Sequence, residues 1–231
     1  MSVERATGIV LRVRPLTETS LIVHWLTAAQ GRLATVAKGA RRPKSPSRGK
    51  LDLFFEADFS FQRSRRSDLH TLCEVVLRDT HPALRTDLGR LRRAAYAALL
   101  VEKATETETP VPAVYALLRD FLRLDQAPGS QLVFGFELKL LTESGLAPDL
   151  ATSRLSAGAH QAAQYLAEAP LAACGSVALT SGQERELSSF LHGFLEYHFG
   201  RLPAVRRVAL GLASEPPLGQ VNTVGSPAAG A

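Results

Sequence analysis

The sequence predicts an α+β protein, with an all-β domain over residues 1–80 followed by an all-α domain over residues 81–212. The first eighty residues contain five short segments rich in β-forming residues, with turn signals every ten to fifteen residues. From residue 88 onward the apolar residues recur at helical spacing instead. Near its end the sequence SEPPLGQVNTVGSPAAGA has little apolar surface to bury, which predicts a mobile tail over residues 213–231.

The five β-rich segments together predict a small antiparallel barrel or sandwich. In TGIVLRVRPL, Ile9, Leu11 and Val13 alternate with Arg12 and Arg14. TSLIVHWLT is apolar and rich in β-formers, AAQG is typical of a turn, and the alternation continues in RLATVAKG. The segments LDLFFEADFSFQR and DLHTLCEVVLRD predict the fourth and fifth strands.

Four later segments predict helices. Three of them are TDLGRLRRAAYAALLVEKATE, PAVYALLRDFLRLD and SQLVFGFELKLLTESG, and the third ends at Gly145, a residue suited to a C-terminal cap. The fourth, SGQERELSSFLHGFLEYHFG, ends at Gly200. It begins with Ser181 three residues before Glu184, which is the spacing of a capping box.

Positive charge is concentrated in the first third of the chain. The net charge is +5. Residues 1–80 carry fourteen Lys and Arg against eight Asp and Glu, which gives +6, whereas residues 81–231 carry thirteen against fourteen, which gives −1. Between Gly31 and Leu51 there are seven basic residues and no acidic one. A field of one sign at this density attracts polyanions.

The basic segment AKGARRPKSPSRGK, residues 37–50, has more than one interpretation. It imitates a nucleotide-binding P-loop, but Pro43 stands where the motif needs a glycine, and proline has no N–H group to offer a phosphate. A solvated loop and a polyanion-binding loop both stay open. The second interpretation predicts an affinity that falls steeply with salt, because each neutralised phosphate releases condensed counterions.

The sequence contains no catalytic or metal-binding pattern. It has no HExxH or GxSxG motif, and His192 and His198 are six residues apart, so they face different sides of one helix. Cys73 and Cys174 are isolated, which excludes a disulfide framework. No run of eighteen apolar residues occurs, and MSVERATGIVLRV lacks the features of a signal peptide. We therefore expect a cytoplasmic protein that is not an enzyme, holds no cofactor and does not associate with a membrane.

Three blocks together resemble the bacterial recombination mediator family RecO. The first and most specific is GIVLRVRPLTETSLIVHWLTAAQGRLATVAKGARRPKS. The second is FELKLLTESGLAPDL, and the third, a looser match, is YHFGRLPAVRRVAL. Together the blocks span residues 8–210.

This resemblance implies an N-terminal OB-fold barrel and a helical C-terminal domain, in agreement with the two regions above. It implies binding of single- and double-stranded DNA and annealing of complementary strands. It also implies partnership with RecR and with the C-terminal tail of single-strand DNA-binding protein, to help load RecA, in the cytoplasm and in association with the nucleoid. The alternative is an RNA- or ribosome-binding OB-fold protein.

The predicted DNA-binding residues form three basic clusters, of which the first corresponds to the basic barrel surface of the family. They are Lys38, Arg41, Arg42, Lys44, Arg48 and Lys50, then Arg63, Arg65 and Arg66, then Arg90, Arg92 and Arg93. For the second and third clusters a solvated surface is the alternative. Arg206 and Arg207 are further candidates. The phenylalanines of FFEADFSF are candidates for base stacking, although at least half of them must belong to the core.

One departure from the family concerns zinc. Many members carry a four-cysteine zinc site just after the segment that matches GLAPDL. Here that region, ATSRLSAGAHQAAQYLAEAPLAACGSVAL, contains one cysteine, Cys174. A cysteine with a distant His160 lacks the four ligands of a structural site, so we expect no metal.

Overall fold

Five strands form the N-terminal part of the computed structural model, which describes residues 3–124 and 129–212. The strands are β1 (Val3–Pro15), β2 (Leu21–Thr27), β3 (Gly31–Ala37), β4 (Glu56–Gln62) and β5 (Leu69–Asp79). The prediction of five strands is therefore confirmed. The predicted mobile tail, 213–231, lies outside the described residues.

The strands close into a barrel in the order β1-β2-β3-β5-β4. All neighbouring strands are antiparallel except β3 and β5. These two pair in parallel over a short stretch, from Ala34 opposite Leu69 to Val36 opposite Thr71, and this pairing closes the barrel. Along β3 the buried positions alternate with half-buried ones. This five-stranded closed barrel followed by helices confirms the predicted fold class, including its OB-like first part.

Aromatic side chains fill the barrel. The Trp25 ring stacks on Phe59 with centroids 4.2 Å apart, and Phe61 packs against Phe59 at 5.7 Å. Trp25 also donates its Nε1–H to Thr35 Oγ1 at 2.9 Å, so the one polar atom of the indole is satisfied inside the core. All four side chains are buried.

Eight α-helices and one short 3₁₀ turn follow in the described part of the chain. The helices are α1 (Ala83–Thr86), α2 (Leu88–Ala104), α3 (Pro112–Arg123), α4 (Ser130–Glu143), α5 (Ala157–Glu168), α6 (Leu171–Cys174), α7 (Ser181–Phe199) and α8 (Val205–Ala209), and the 3₁₀ turn is Leu150–Thr152. The four predicted helices correspond to α2, α3, α4 and α7. The sequence pattern did not predict α5, whose buried face consists of Ala159, Ala163 and Leu166.

The capping box at the start of α7 lies one residue earlier than predicted. Thr180, rather than Ser181, is the N-cap: its Oγ1 accepts the Gln183 N–H at 3.2 Å, and the Gln183 side chain accepts the Thr180 N–H at 2.8 Å. Thr-Ser followed by Gln-Glu offers two overlapping boxes with the same chemistry, and the sequence pattern alone does not choose between them.

The helices pack directly on the outside of the barrel. Ile9, Leu11 and Leu26 belong to the same apolar cluster as the helical core. The connection from α2 to α3 follows the edge of β3, where the Glu108 N–H donates to the Arg32 carbonyl at 3.0 Å. The division into domains at residue 80 stays a prediction, because barrel and helices share apolar packing.

Candidate nucleic-acid interface

Residues 38–50, the first part of the connection between β3 and β4, are hereafter the basic loop. It is a series of tight turns, in which the Arg42 N–H donates to the Gly39 carbonyl at 3.0 Å and the Arg48 N–H donates to the Ser45 carbonyl at 3.2 Å. Gly39 has a φ of 66°, in the left-handed region that favours glycine. Proline and glycine keep this segment from forming a helix.

Hydrogen bonds attach the start of the basic loop to the turn between β1 and β2. The Arg41 N–H donates to the Thr19 carbonyl at 2.9 Å, and the Gly39 N–H donates to Ser20 Oγ at 3.3 Å. The Arg41 guanidinium also reaches the Thr17 carbonyl at 3.4 Å. The loop is therefore fixed at one end of β1 and β2, and Ala40 packs into the barrel core, whereas the side chains of Lys38, Arg41 and Arg42 are exposed.

The cations of the basic loop are available to a ligand. Lys38, Arg41, Arg42, Lys44 and Arg48 are exposed, and none of them forms an ion pair with a carboxylate in residues 3–124 or 129–212. Lys50 is half-buried and places Nζ 3.4 Å from the Val75 carbonyl. Five exposed charges without counter-charges produce the field that a phosphate backbone needs.

In the second predicted cluster, Arg63 differs from Arg65 and Arg66 because it is paired with carboxylates. Arg63 Nε lies 2.7 Å from Glu4 Oε1, and its Nη1 lies 2.5 Å from Glu108 Oε1. The hydrogen bond to Glu4 is the main reason why the pKa of Arg63 is raised. Arg65 and Arg66 are exposed. The charge of Arg63 is already compensated, so Arg65 and Arg66 supply most of the positive charge that this cluster can offer.

The third predicted cluster, on α2, does not form an exposed surface of three cations. Arg93 is 6% exposed, and burial lowers its pKa. Arg90 Nε lies 3.5 Å from Asp87 Oδ2, and Asp87 also caps the helix by accepting the Arg90 N–H at 2.9 Å. Arg92 is half-buried. The sequence spacing placed these side chains together, but the packing of α2 turns Arg93 inward.

The structure also bears on two secondary expectations. Phe54, Phe59 and Phe61 belong to the core, so these barrel phenylalanines are unavailable for base stacking. Arg206 is buried in an ion pair with Glu137 and is unavailable to DNA. Aromatic and arginine side chains serve equally well in cores and at interfaces, and only packing distinguishes the two uses.

The structure places Cys174 in the core of the helical region. Its Sγ lies 3.7 Å from the Leu166 carbonyl, and burial raises the pKa of the thiol. A Cβ added at Gly135 would lie 2.7 Å from the same sulfur, so Cys174 fills a close approach between α4 and α6. Metal ligation requires the thiolate, which this environment disfavours. The absence of zinc stays a prediction that elemental analysis of the purified protein would test.

A different set of potential ligands meets where β4 and β5 approach α3. Glu56, Asp79 and His81 bring one ligand atom each within 4.8 Å of one another. However, Arg123 Nη2 lies 2.7 Å from Glu56 Oε2, and its Nε lies 3.4 Å from Asp79 Oδ2. Tyr115 donates its hydroxyl to Glu56 Oε1 at 2.7 Å. The guanidinium already occupies the position of a cation between the two carboxylates, so we assign no metal to this set.

A pocket of about 690 Å³ lies on the flank of the barrel beside α3. Two of its three carboxylates are engaged in structural contacts: Glu56 in those just described, and Asp58 with the Thr7 hydroxyl at 2.6 Å and with Arg78 at 2.8 Å. These hydrogen bonds to Asp58 lower its pKa. The third carboxylate, Glu74, is exposed. A general base needs a free carboxylate beside a nucleophile, and neither Glu56 nor Asp58 is free.

Within the described ranges, the helices are too short or too polar to cross a bilayer.

Comparison with known proteins gives a consistent result over most of the chain. Residues 1–81 match the family model described as Recombination protein O N terminal, and residues 85–153 match the model described as Recombination protein O C terminal. The chain is 31% identical over 239 residues to the DNA repair protein RecO of Anaeromyxobacter dehalogenans (strain 2CP-C), which covers 88% of this chain and 94% of that relative.

Two further relatives align over a shorter region. The DNA repair protein RecO of Pelotomaculum thermopropionicum is 34% identical over 151 residues, which is 65% of this chain and 58% of the relative. That of Gloeobacter violaceus is 36% identical over 151 residues, which is 63% of this chain and 57% of the relative. The family models end at residue 153, so α5 to α8 lie beyond the matched region.

Proposed function

The chain belongs to the RecO family, whose members are DNA repair proteins, and from that premise we propose that it is a recombination mediator that binds single- and double-stranded DNA through its basic loop. The observation that supports DNA binding is the set of five exposed cations, Lys38 to Arg48, which pair with no carboxylate in the part of the chain that the structure describes. Phosphate contacts of this kind fix a strand without reading its bases, so binding should be independent of sequence.

The proposed interface includes Arg65 and Arg66 as a second contact, because they are exposed. We give Arg63 a smaller role, because Glu4 and Glu108 compensate its charge. Arg90 and Arg92 stay in the proposal as candidates on α2, and the buried Arg93 does not.

Replacement of Arg41, Arg42 and Lys44 by alanine tests the proposal. On single-stranded DNA the slope of log affinity against log salt should decrease by about 0.7 for each lost phosphate contact, thus by about 2 for the triple variant. The matched control replaces three exposed arginines of the helical region, Arg154, Arg185 and Arg201, by alanine.

The control should keep the wild-type slope. A folded loop variant with wild-type affinity and slope would mean that the basic loop is only a solvated surface. Parallel titrations with RNA of the same sequence distinguish the alternative function, because an RNA- or ribosome-binding protein would prefer the RNA.

We propose further that the protein acts with RecR and with the C-terminal tail of single-strand DNA-binding protein to help load RecA, in the cytoplasm and in association with the nucleoid. The helical region has apolar surface for such a tail. On α7 the rings of Phe190 and Phe194 are in contact with centroids 6.1 Å apart, and Tyr197 is 84% exposed. Arg201 is also exposed, close to the end of this helix, and offers charge to an acidic peptide.

Binding of an acidic tail peptide with a hydrophobic end tests the partner proposal. The intact chain should bind it with a dissociation constant of tens of micromolar or tighter, about 6 kcal/mol. Tyr197→Ala should weaken that binding, whereas the triple loop variant should not. No measurable binding to the folded wild-type chain would remove this part of the proposal.

A further inference from the structure

A second basic site lies between the barrel and the helices. This site, hereafter the interdomain pocket, has a volume of about 320 Å³. Arg12, His24 and Arg32 line it from the outer face of β1, β2 and β3, and Lys103 and Glu102 line it from α2. Its walls therefore carry three permanent cations and a histidine against a single carboxylate.

Several of these donors are still available to a ligand. Arg32 uses Nε and Nη2 to donate to the Thr105 carbonyl, at 3.1 Å and 2.7 Å, which leaves its Nη1 without a partner among the described residues. Lys103 Nζ has one long contact, 3.5 Å from the Phe199 carbonyl. Arg12 pairs with Glu102 through its Nη2.

His24 lies between opposite charges in the pocket. Burial is the main cause that lowers its pKa; the charge of Glu102 raises the pKa, and those of Arg14, Arg12 and Arg32 lower it. The preference of the pocket for an anion therefore rests on its lining, in which Arg12, Arg32 and Lys103 outnumber Glu102.

The register of the strands connects the pocket to the basic loop. Arg14 lies opposite Ile22, and Arg12 lies opposite His24, on the outer side of β1 and β2. Side chains two residues apart on a strand face the same side, about 6.6 Å from each other. The Thr17 carbonyl that Arg41 contacts follows the end of β1. Cations therefore extend from the basic loop along β1 to the pocket.

We propose that the interdomain pocket binds a backbone phosphate of the strand that the basic loop holds. The inference rests on the proposed DNA binding, and it adds a second, fixed contact on the helical side of the barrel. A single strand then crosses the outer face of β1 and β2, near the strands that OB-folds use for oligonucleotides. Lys103 would make α2 part of the interface, although this helix is outside the barrel.

Two variants with opposite expected effects test the site. Lys103→Ala removes a phosphate ligand with one weak contact, so the salt slope for a twenty-nucleotide oligothymidylate should decrease by about 0.7. Glu102→Gln removes the carboxylate that repels the phosphate and competes for Arg12, so the affinity should rise about threefold, from one unit charge at several ångströms in water. A purely structural Arg12–Glu102 pair predicts no gain of affinity for Glu102→Gln.

The matched control is Lys139→Ala, because Lys139 is the other lysine of the helical region and also bonds a carbonyl, that of Ala167 at 2.8 Å. Its slope should equal that of the wild type. If Lys103→Ala keeps the wild-type slope, or if Glu102→Gln does not raise the affinity, the pocket proposal is overturned. The triple loop variant in the same series separates the two proposals, because it alone should lose affinity if the loop binds DNA and the pocket does not.

Discussion

The Arg206 guanidinium forms a bidentate ion pair with the Glu137 carboxylate, with Nε 2.7 Å from Oε1 and Nη2 2.9 Å from Oε2. Both side chains are buried, and Glu137 is 0% exposed. Tyr96 donates its hydroxyl to the same carboxylate, and Arg206 Nη1 donates to the Ser188 carbonyl at 3.3 Å. One polar group thus connects α2, α4, α7 and α8.

Removal of one partner of this pair should be strongly destabilising. Arg206→Met leaves the Glu137 carboxylate buried without its counter-charge. This should lower the free energy of unfolding by about 3–5 kcal/mol. The double variant Arg206→Met with Glu137→Leu should recover much of that loss, since no charge is then left uncompensated. Urea unfolding of the three proteins measures both effects. A single variant within about 0.5 kcal/mol of the wild type would contradict the buried ion pair.

The Gly31→Ala substitution should loosen the contact between β3 and the α2–α3 connection. Gly31 has a φ of 67°, and an added Cβ would lie 2.0 Å from the Thr109 carbonyl oxygen. Alanine at this positive φ is strained by about 1–3 kcal/mol. The clash with Thr109 adds to this cost, because the atoms in the way are backbone atoms, which cannot move aside as a flexible side chain can. Gly49→Ala is the matched control, with a φ of 72° and open space around the added Cβ. Equal loss of stability in the two variants, by urea unfolding, would show that the close approach to Thr109 does not matter.

His81 should make the protein less stable in mild acid. Burial lowers the pKa of His81 below its ordinary value of 6.5. The charge of Arg123 also lowers this pKa, whereas the charges of Asp79 and Glu56 raise it without reversing the shift. Because the unfolded chain then binds the proton more readily, this contribution to stability is fully present above about pH 6.5 and decreases as the pH falls towards the folded-state pKa.

The His81→Asn variant isolates that contribution. Asparagine tolerates the φ of 47° at this position and does not titrate. The melting temperature of the variant should depend less on pH between 7.5 and 5.5 than that of the wild type, with His192→Asn, an exposed site on α7, as the control. His24, whose pKa is also lowered, leaves some pH dependence in every variant. A wild-type pH profile in His81→Asn would refute the assignment.

The protein should anneal complementary single strands without a nucleotide or a divalent metal. A dense cationic surface reduces the repulsion between two strands and raises their local concentration, after which base pairing drives the reaction. Two complementary fluorescent oligonucleotides should therefore pair faster with the protein than without it in EDTA, and more slowly as salt rises. The Arg41, Arg42 and Lys44 triple variant should lose most of the acceleration. A strict requirement for ATP, or no acceleration at low salt, would exclude this mechanism.

Local sequence patterns predicted much of the fold. Alternation along β3 and the helical periodicity of α2 are properties of neighbouring residues, so both are visible without the structure. The helix α5 was not predicted, because its buried positions Ala159 and Ala163 give a weak apolar signal. Whether such small side chains are buried depends on how α5 packs against its neighbours, which is not a property of the segment itself.

The candidate site shows the same limit. The basic loop was predictable because its cations are consecutive and no acidic residue interrupts them. The pairing of Arg63 with Glu108 joins residues separated by 45 positions, and that of Arg206 with Glu137 joins residues separated by 69. Charge in a sequence identifies cations, whereas their counter-charges depend on which distant segments meet.

The shared packing of Ile9, Leu11 and Leu26 with the helices has a consequence for cooperativity. A fragment that ends after β5 would leave these three side chains in water, together with the buried Phe54 of the same cluster. Barrel and helices should then unfold in a single transition, and an isolated barrel should self-associate through its uncovered face. For this chain, the cooperative folding unit therefore includes the helices as well as the five-stranded barrel.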